Sequence, residues 1–261
     1  MKKFYVIGSR ASGSLSPTIF NYWFKKYKIN AKYGFIETNK ENFDIKIKKL
    51  LKEKNLSGLN ITIPFKKTIM KHINVLDTHS KKINAVNCLV IKSKIKGYNT
   101  DWHGYYKTIP RANNLKNKNT LLIGYGGAAL AIHYVLKKKG FKNITIINRT
   151  KKKLRYEKKT TYTKKFSRIS DYLGCADLII NSTPTNPIDK KNNKLVSPRT
   201  ILSDIVYKPK ETKFLRSFPK NKKIYGINML LQQAVPCFEM WFGFKPKIDN
   251  RLVKIIEKKI T

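Results

Sequence analysis

Short apolar, β-branched runs alternate along the chain with segments whose apolar residues recur every three or four positions. That alternation of strand and helix periods is the signature of an α/β fold. KKFYVIG (2–8), AKYGFIET (31–38) and GLNITIPF (58–65) read as strands, with SPTIFNYWFKKYKI (16–29) and NFDIKIKKLLKEK (42–54) as helices between them. Ser16 is placed to cap the first helix, with Pro17 at its first helical position. TIMKHINVLDTHSKKI (68–83) predicts a helix, and AVNCLVIKS (85–93) with KIKGYNTD (94–101) a β-hairpin.

Near residue 102 the pattern changes. WHGYYKTIPRAN (102–113) predicts a helix ending near Pro110, and NLKNKN (114–119) a polar linker. A second α/β run follows: NTLLIG (119–124), a glycine turn, the helix AALAIHYVLKKK (128–139) and the strand NITIINRT (143–150). ADLIINSTP (176–184) and TILSDIVY (200–207) add strands, while the charged run KKKLRYEKKTTYTKKFSR (151–168) predicts a solvated helix and loop. INMLLQQAVPCFEMWFG (227–243) is apolar on more than one side, as a buried helix would be. Two α/β runs are therefore expected, the first ending near residue 102.

The 261 residues, 41% hydrophobic with 13 Phe, 14 Tyr and 3 Trp, suit a packed globular chain. No apolar run approaches the ~18 residues of a membrane span, and the run in MKKFYVIGSR is short for a signal peptide. A cytoplasmic protein without a membrane partner is expected. Cys88, Cys175 and Cys237 form no paired spacing, which fits a reducing compartment. His72, His79, His103 and His133 make no metal-ligand pattern, so no metal is expected. The formal net charge of +41 invites a nucleic-acid reading. The lysines, however, are spread along the whole chain together with Asn and Ile, which share A/T-rich codons. A nucleic-acid surface should cluster its cations and interleave aromatics, so no specific nucleic-acid partner is expected.

The stretch LLIGYGGAALAIHYVLKKKGFKNITIINRT (121–150) carries the clearest chemistry. Gly124, Gly126 and Ala129 match G-x-G-x-x-A inside a full strand–turn–helix–strand unit. The first glycine permits the tight turn, the second lets backbone approach a pyrophosphate, and the helix N-terminus offers free N–H groups to it. The alternative is a glycine turn needed only for packing. An NAD site places Asp or Glu at the end of the next strand. Here Asn148, Arg149, Thr150 and Lys151 stand there, and Arg can hold a 2′-phosphate bidentately. That spelling predicts NADP.

Four short polar pieces mark the first half: SGSLSP (12–17), NITIPFK (60–66), NAVN (84–87) and NTD (99–101). Each follows or ends a strand, where open α/β sheets bind ligands. Ser14, Ser16, Thr62, Asn87 and Asp101 offer hydroxyl, amide and carboxylate groups suited to a polyhydroxylated ligand. Lys66 beside Asp101 is a reasonable proton-transfer pair. Taken singly, each has a plainer role, Ser16 as a helix cap and Asn87 as a turn residue.

Taken together, these pieces resemble the shikimate dehydrogenase family. S-x-S-P at 14–17, N-x-T-x-P-F-K at 60–66, A-V-N at 85–87, N-T-D at 99–101 and G-x-G-G-A at 124–128 occur in that family's order. N-R-T at 148–150, N-S-T-P at 181–184, D-I-V-Y at 204–207 and G-x-x-M-L-x-x-Q-A at 226–234 continue it. The resemblance implies a two-domain enzyme that reduces 3-dehydroshikimate to shikimate with NADPH. Its substrate-binding domain (1–101 with 228–261) is followed by a Rossmann-type NADP domain (102–227), the C-terminal helix returning to the first domain. It implies Lys66 and Asp101 as the catalytic pair, which also contact substrate beside Ser14, Ser16, Thr62, Asn87, Tyr207 and Gln233. It further implies Gly124, Gly126, Gly127, Ala128, Asn148, Arg149, Thr150, Ser182, Thr183 and Gly226 at the cofactor. A homodimer is compatible with it. The chain departs from the family at Arg10, Gly13, Asn84, Cys88, Asn186 and Asn228, and Trp102-His103 extends N-T-D in a less common way. A quinate/shikimate dehydrogenase using NAD, and a basic nucleic-acid-binding protein on the same fold, are the competing readings.

Overall fold

The strand-forming runs of the first hundred residues assemble into one mixed sheet. The computed structural model describes residues 1–109, 116–157 and 160–260. Its first elements are β1 (Lys2–Gly8), α1 (Ser16–Lys26), β2 (Ala31–Glu37), α2 (Phe43–Leu50), β3 (Leu56–Ile61), β4 (Val75–Leu76), α3 (Thr78–Ile83), β5 (Cys88–Ile91) and β6 (Ile95–Tyr98). The strand order is β2-β1-β3-β5-β6-β4. β1 runs parallel to β2 and β3, and the β5–β6 hairpin pairs antiparallel to β3. α2 lays Phe43, Ile47 and Leu50 on a buried cluster with Ile7, Leu59, Ile61 and Leu89.

The second sheet is entirely parallel. Its elements are α4 (Asp101–Thr108), β7 (Thr120–Ile123), α5 (Gly127–Lys138), β8 (Ile144–Asn148), β9 (Lys164–Lys165), α6 (Ser170–Leu173), β10 (Leu178–Asn181), β11 (Ile201–Asp204), α7 (Lys213–Arg216) and β12 (Lys223–Ile224). The order β12-β11-β10-β7-β8-β9 is doubly wound, with the chain reversing direction across the sheet at β7. Two helices complete the chain, α8 (Gly226–Phe242) and α9 (Asn250–Glu257).

By compactness the chain divides into two units, Met1–His103 with Gln233–Lys258, and Gly104–Gln232 with Lys259–Thr261. The returning part of α8 is welded into the first unit by aromatic side chains. Trp241 packs on Phe4 and Phe20, with centroids 4.6 and 4.9 Å apart, and Phe238 packs on Trp23. The Trp241 indole N–H donates to the Leu89 carbonyl at 2.9 Å.

Three local expectations are corrected. Ser16 does not cap α1; Leu15 takes that position in helical backbone, and the Ser14 hydroxyl accepts the Ser16 N–H instead. Residues 68–83 are not one helix. A 3-10 turn at Thr68–His72 and strand β4 precede α3, because Asn74 pairs with Ile95 and Asp77 starts a new helix by accepting the His79 and Ser80 N–H groups. The charged run after β8 shows no α-helix among its described residues. It folds back on itself, with Lys153 bridging Tyr162 and Leu154 N–H donating to the Thr161 carbonyl, as β-branched and aromatic residues favour. The end of the helix expected near Pro110 lies outside the described residues, α4 being described to Thr108. No helix among the described residues is long and apolar enough to cross a membrane.

Gly58 shows how closely α8 packs. A Cβ there would stand 2.4 Å from the Trp241 indole nitrogen. Gly58→Ala is expected to lower unfolding stability by about 1–3 kcal/mol through overpacking. Urea denaturation checks this, and an unchanged midpoint would mean that Trp241 moves aside at no cost.

Candidate active site

In the first unit the turn after β3 places Lys66. Phe65 is fixed by stacking on Phe43 at 4.0 Å, and the Lys66 carbonyl accepts the Val86 N–H at 2.7 Å. The side chain is buried, and its ammonium meets the Asp101 carboxylate at 2.5 Å. Asp101 opens α4, the position where a carboxylate suits the positive end of a helix.

Asn87 holds that carboxylate in place. The Thr100 backbone N–H donates to Asn87 Oδ1 at 2.6 Å, which fixes the orientation of the amide. Nδ2 then faces three acceptors: Thr100 Oγ1 at 2.9 Å, Asp101 Oδ1 at 3.0 Å and Gln233 Oε1 at 3.2 Å. Two protons serve three acceptors, so one contact is shared. A further buried layer supports this one. The Tyr33 hydroxyl donates to Asn60 Oδ1, and Asn60 Nδ2 donates to the Asn87 carbonyl and lies 3.2 Å from Cys237 Sγ. Burial pushes the Tyr33 phenol well above its ordinary range, so it stays a neutral donor.

The structure thus brings together Lys66, Asp101, Asn87 and Gln233. Ser16 is buried at the first position of α1, its N–H held by the Ser14 hydroxyl. Ser14 sits at the start of α1 and Thr62 on the turn after β3, both half-buried. Tyr207 lies in the second unit, just past β11. Tyr33, Asn60, Thr100 and Cys237 were not singled out from the sequence. Asn60 and Thr100 lay inside the quoted motifs, but Tyr33 and Cys237 carry no local sign of their contacts.

The second unit holds the glycine turn. Gly124 has φ +95, and a Cβ there would stand 2.6 Å from Ser182 Oγ. Ser182 closes on β7 through its N–H and hydroxyl, both donating to the Ile123 carbonyl. Thr183 is held against Asn181 by two hydrogen bonds. Gly126 precedes α5 with no side-chain cap, and the space where its Cβ would lie is open. Gly127 and Ala128 form the first positions of that helix. Asn148 Oδ1 accepts the Tyr125 N–H, and Asn148 Nδ2 donates to the Thr150 carbonyl. Arg149 and Thr150 are exposed just beyond, and Gly226 starts α8. An uncapped helix N-terminus, open room over the turn, and a cation without an acid at the end of β8 fit a phosphorylated dinucleotide.

Residues 6–89 match the family described as shikimate dehydrogenase substrate binding domain, and residues 108–206 match shikimate / quinate 5-dehydrogenase. The chain belongs to the shikimate dehydrogenase family. It is 34% identical to shikimate dehydrogenase (NADP(+)) of Pyrococcus abyssi, over 95% of each chain. It is 36% identical to that of Clostridium botulinum, over 90% of this chain and 95% of the relative. Among solved structures, shikimate dehydrogenase 1 of Peptoclostridium difficile superposes with a TM-score of 0.81 at 27% identity, covering 100% of this chain and 98% of that one. A shikimate dehydrogenase in complex with NADP+ gives 0.81 at 28%, covering 100% and 96%.

One group near the turn titrates in an accessible range. His133 on α5 is buried, which lowers its pKa from 6.5 to about 4. Tyr125, Tyr156, Glu157 and Lys137 are the groups around it. The folded value lies below the unfolded one. Stability from this group is therefore complete above about pH 6.5 and is lost as pH falls toward about 4. The loss should reach roughly 3 kcal/mol. Chemical denaturation across that window checks it; His133→Leu should flatten the slope, and an equal slope in both proteins would assign it to other groups.

Proposed function

We propose that this chain is an NADP-dependent shikimate dehydrogenase, reducing 3-dehydroshikimate to shikimate in the route to chorismate and the aromatic amino acids. The observation that carries this reading is the buried Lys66–Asp101 pair, held by Asn87 and set among amide and hydroxyl groups. Bound at the glycine turn, NADPH would supply the hydride to the substrate's ketone carbon. Lys66 Nζ delivers a proton to the ketone oxygen and takes it back in the reverse direction. Asp101 keeps the ammonium aimed, and Asn87 keeps Asp101 from turning away. Ser14, Ser16, Thr62, Asn87 and Gln233 engage the ligand's hydroxyls and carboxylate. The dinucleotide is assigned to the turn Gly124–Ala128, with Arg149 and Thr150 toward its 2′-phosphate and Ser182, Thr183 and Gly226 along the nicotinamide side. The three unpaired cysteines suit a reducing compartment, so we place the enzyme in the cytoplasm.

The primary test is NADPH oxidation with 3-dehydroshikimate, run beside quinate with NAD. Absence of the first activity, or dominance of the second, would overturn the reading. Lys66→Ala is expected to lower kcat by about 10²–10⁴-fold with KM within a few-fold. Lys67→Ala, removing the exposed neighbouring cation, should turn over like wild type. Circular dichroism must accompany the pair, because Lys66→Ala strands a buried carboxylate. Equal kcat in all three proteins would remove Lys66 from the chemistry.

Arg149→Ala tests the cofactor assignment. A charge-assisted bidentate contact is worth roughly 1.5–3 kcal/mol. KM for NADPH should rise about ten- to a hundredfold while NADH use stays nearly constant. Equal losses with the two cofactors would mean that Arg149 does not read the 2′-phosphate.

A further inference from the structure

The glycine turn contains one bulky residue, and it is folded inward. Tyr125 stands between Gly124 and Gly126, yet its side chain is buried. Its hydroxyl reaches His133 Nδ1 at 3.0 Å, on the buried face of α5. The same hydroxyl accepts the backbone N–H of Arg155 at 3.1 Å. The proton assignments follow. An N–H can only donate, so the tyrosine oxygen accepts from Arg155. The Glu157 carboxylate 3.5 Å from His133 Nε2 favours the tautomer protonated on that nitrogen, which leaves Nδ1 to accept the tyrosine proton. Nε2 itself makes no hydrogen bond.

These contacts tie the backbone after β8 to the turn. Residues 151–155 carry Lys151, Lys152, Lys153 and Arg155, directly after Asn148-Arg149-Thr150. The segment touches the turn twice. Arg155 N–H is held by the Tyr125 hydroxyl, and Lys152 Nζ donates to the Tyr125 carbonyl at 3.2 Å. Its far side is closed by the Thr163 hydroxyl, which accepts the Lys152 N–H. Two buried polar side chains thus share in setting the position of a cation-rich strip beside the turn.

We infer that Tyr125 and His133 are a positioning pair that holds residues 151–155 against the dinucleotide turn and thereby sharpens the preference for a 2′-phosphorylated dinucleotide. This rests on the cofactor reading given above. Neither side chain touches the ligand, both being buried beneath the turn. They act by keeping positive charge where the extra phosphate would lie, so their loss falls on NADP+ and spares NAD+.

The test is calorimetric titration of NADP+ and of NAD+ into wild type, Tyr125→Phe, His133→Leu and His133→Asn, with melting temperatures for each. Tyr125→Phe keeps the ring and removes both hydrogen bonds. His133→Leu removes the acceptor of the Tyr125 hydroxyl and leaves that buried O–H without a partner, so its melting temperature should fall along with NADP+ affinity. Asn can present its amide oxygen near the position of Nδ1 and should rescue. The expected result is a loss of NADP+ affinity of roughly three- to tenfold in Tyr125→Phe and His133→Leu. NAD+ affinity should change less than about twofold, and His133→Asn should stay near wild type. Equal loss of both dinucleotides, or an unchanged affinity ratio with a lowered melting temperature, would overturn the inference and leave a purely structural pair. Wild type that binds neither dinucleotide overturns the cofactor reading and this inference together. Binding is read without turnover, so failure of the proposed reaction appears separately, as absent NADPH oxidation.

Discussion

A buried ammonium facing a buried carboxylate is the constraint around which the first unit is organised. Removing both charges from water costs several kcal/mol per ion, and their attraction returns that only when geometry and hydrogen bonding are good. Lys66 and Asp101 are far apart in sequence, on a turn after β3 and at the start of α4. Their meeting at 2.5 Å therefore needs both backbones fixed. The Val86 N–H on the Lys66 carbonyl does this on one side, and Asn87 gripping the Thr100 N–H does it on the other. Adjacent residues of one short segment set both partners. An apolar pair of similar volume would hold a core at least as well, so the retention of two charges points to chemistry rather than to stability.

The aromatic docking of α8 serves the same centre. Gln233 and Cys237 lie one turn apart on that helix, and both contact Thr100 Oγ1 at 3.2 Å. Phe238 and Trp241 on the next turn lock the helix into the sheet. A chain end distant in sequence thus contributes to a polar cluster formed mainly by residues 60–101. The glycine turn of the second unit follows a similar logic. Ser182 fills the space beside Gly124, and Asn148 holds the Tyr125 N–H, so the ends of β10 and β8 both shape one loop.

The sequence carried the α/β alternation, the glycine turn and the N-x-T-x-P-F-K stretch, because each is a local pattern with a local cause. It also placed the β5–β6 hairpin and the long apolar helix now seen as α8. Where it failed, a distant partner decided. The break within 68–83 depends on Asn74 meeting Ile95, and the fold-back after Lys152 depends on Thr161 and Thr163 meeting it in space. α9 escaped notice although its apolar face is regular, and its start is set by Asp249, which accepts the Leu252 N–H and also receives Tyr22 and Lys26 from α1. Ser16 was legible as a helix-start residue, but which serine does the capping is settled by the backbone conformation of Leu15. Tyr33 and Cys237 stayed hidden for the same reason: a buried polar contact between remote residues leaves no periodic trace.

The lysine content sharpens the distinction between charge and chemistry. With 56 Lys+Arg and a net charge of +41, one more cation adds little to the field around the molecule. Exposed charges are also screened beyond roughly 8–10 Å at ordinary ionic strength. Lys66 differs from its exposed neighbour Lys67 by burial, not by its charge. In a dry setting a fixed donor is already oriented, and little solvent has to reorganise when a proton moves. Arg149, by contrast, is exposed, and its charge is screened by solvent like that of the other surface cations. General basicity can draw an anion toward such a surface, whereas the buried pair holds its charges in a fixed geometry.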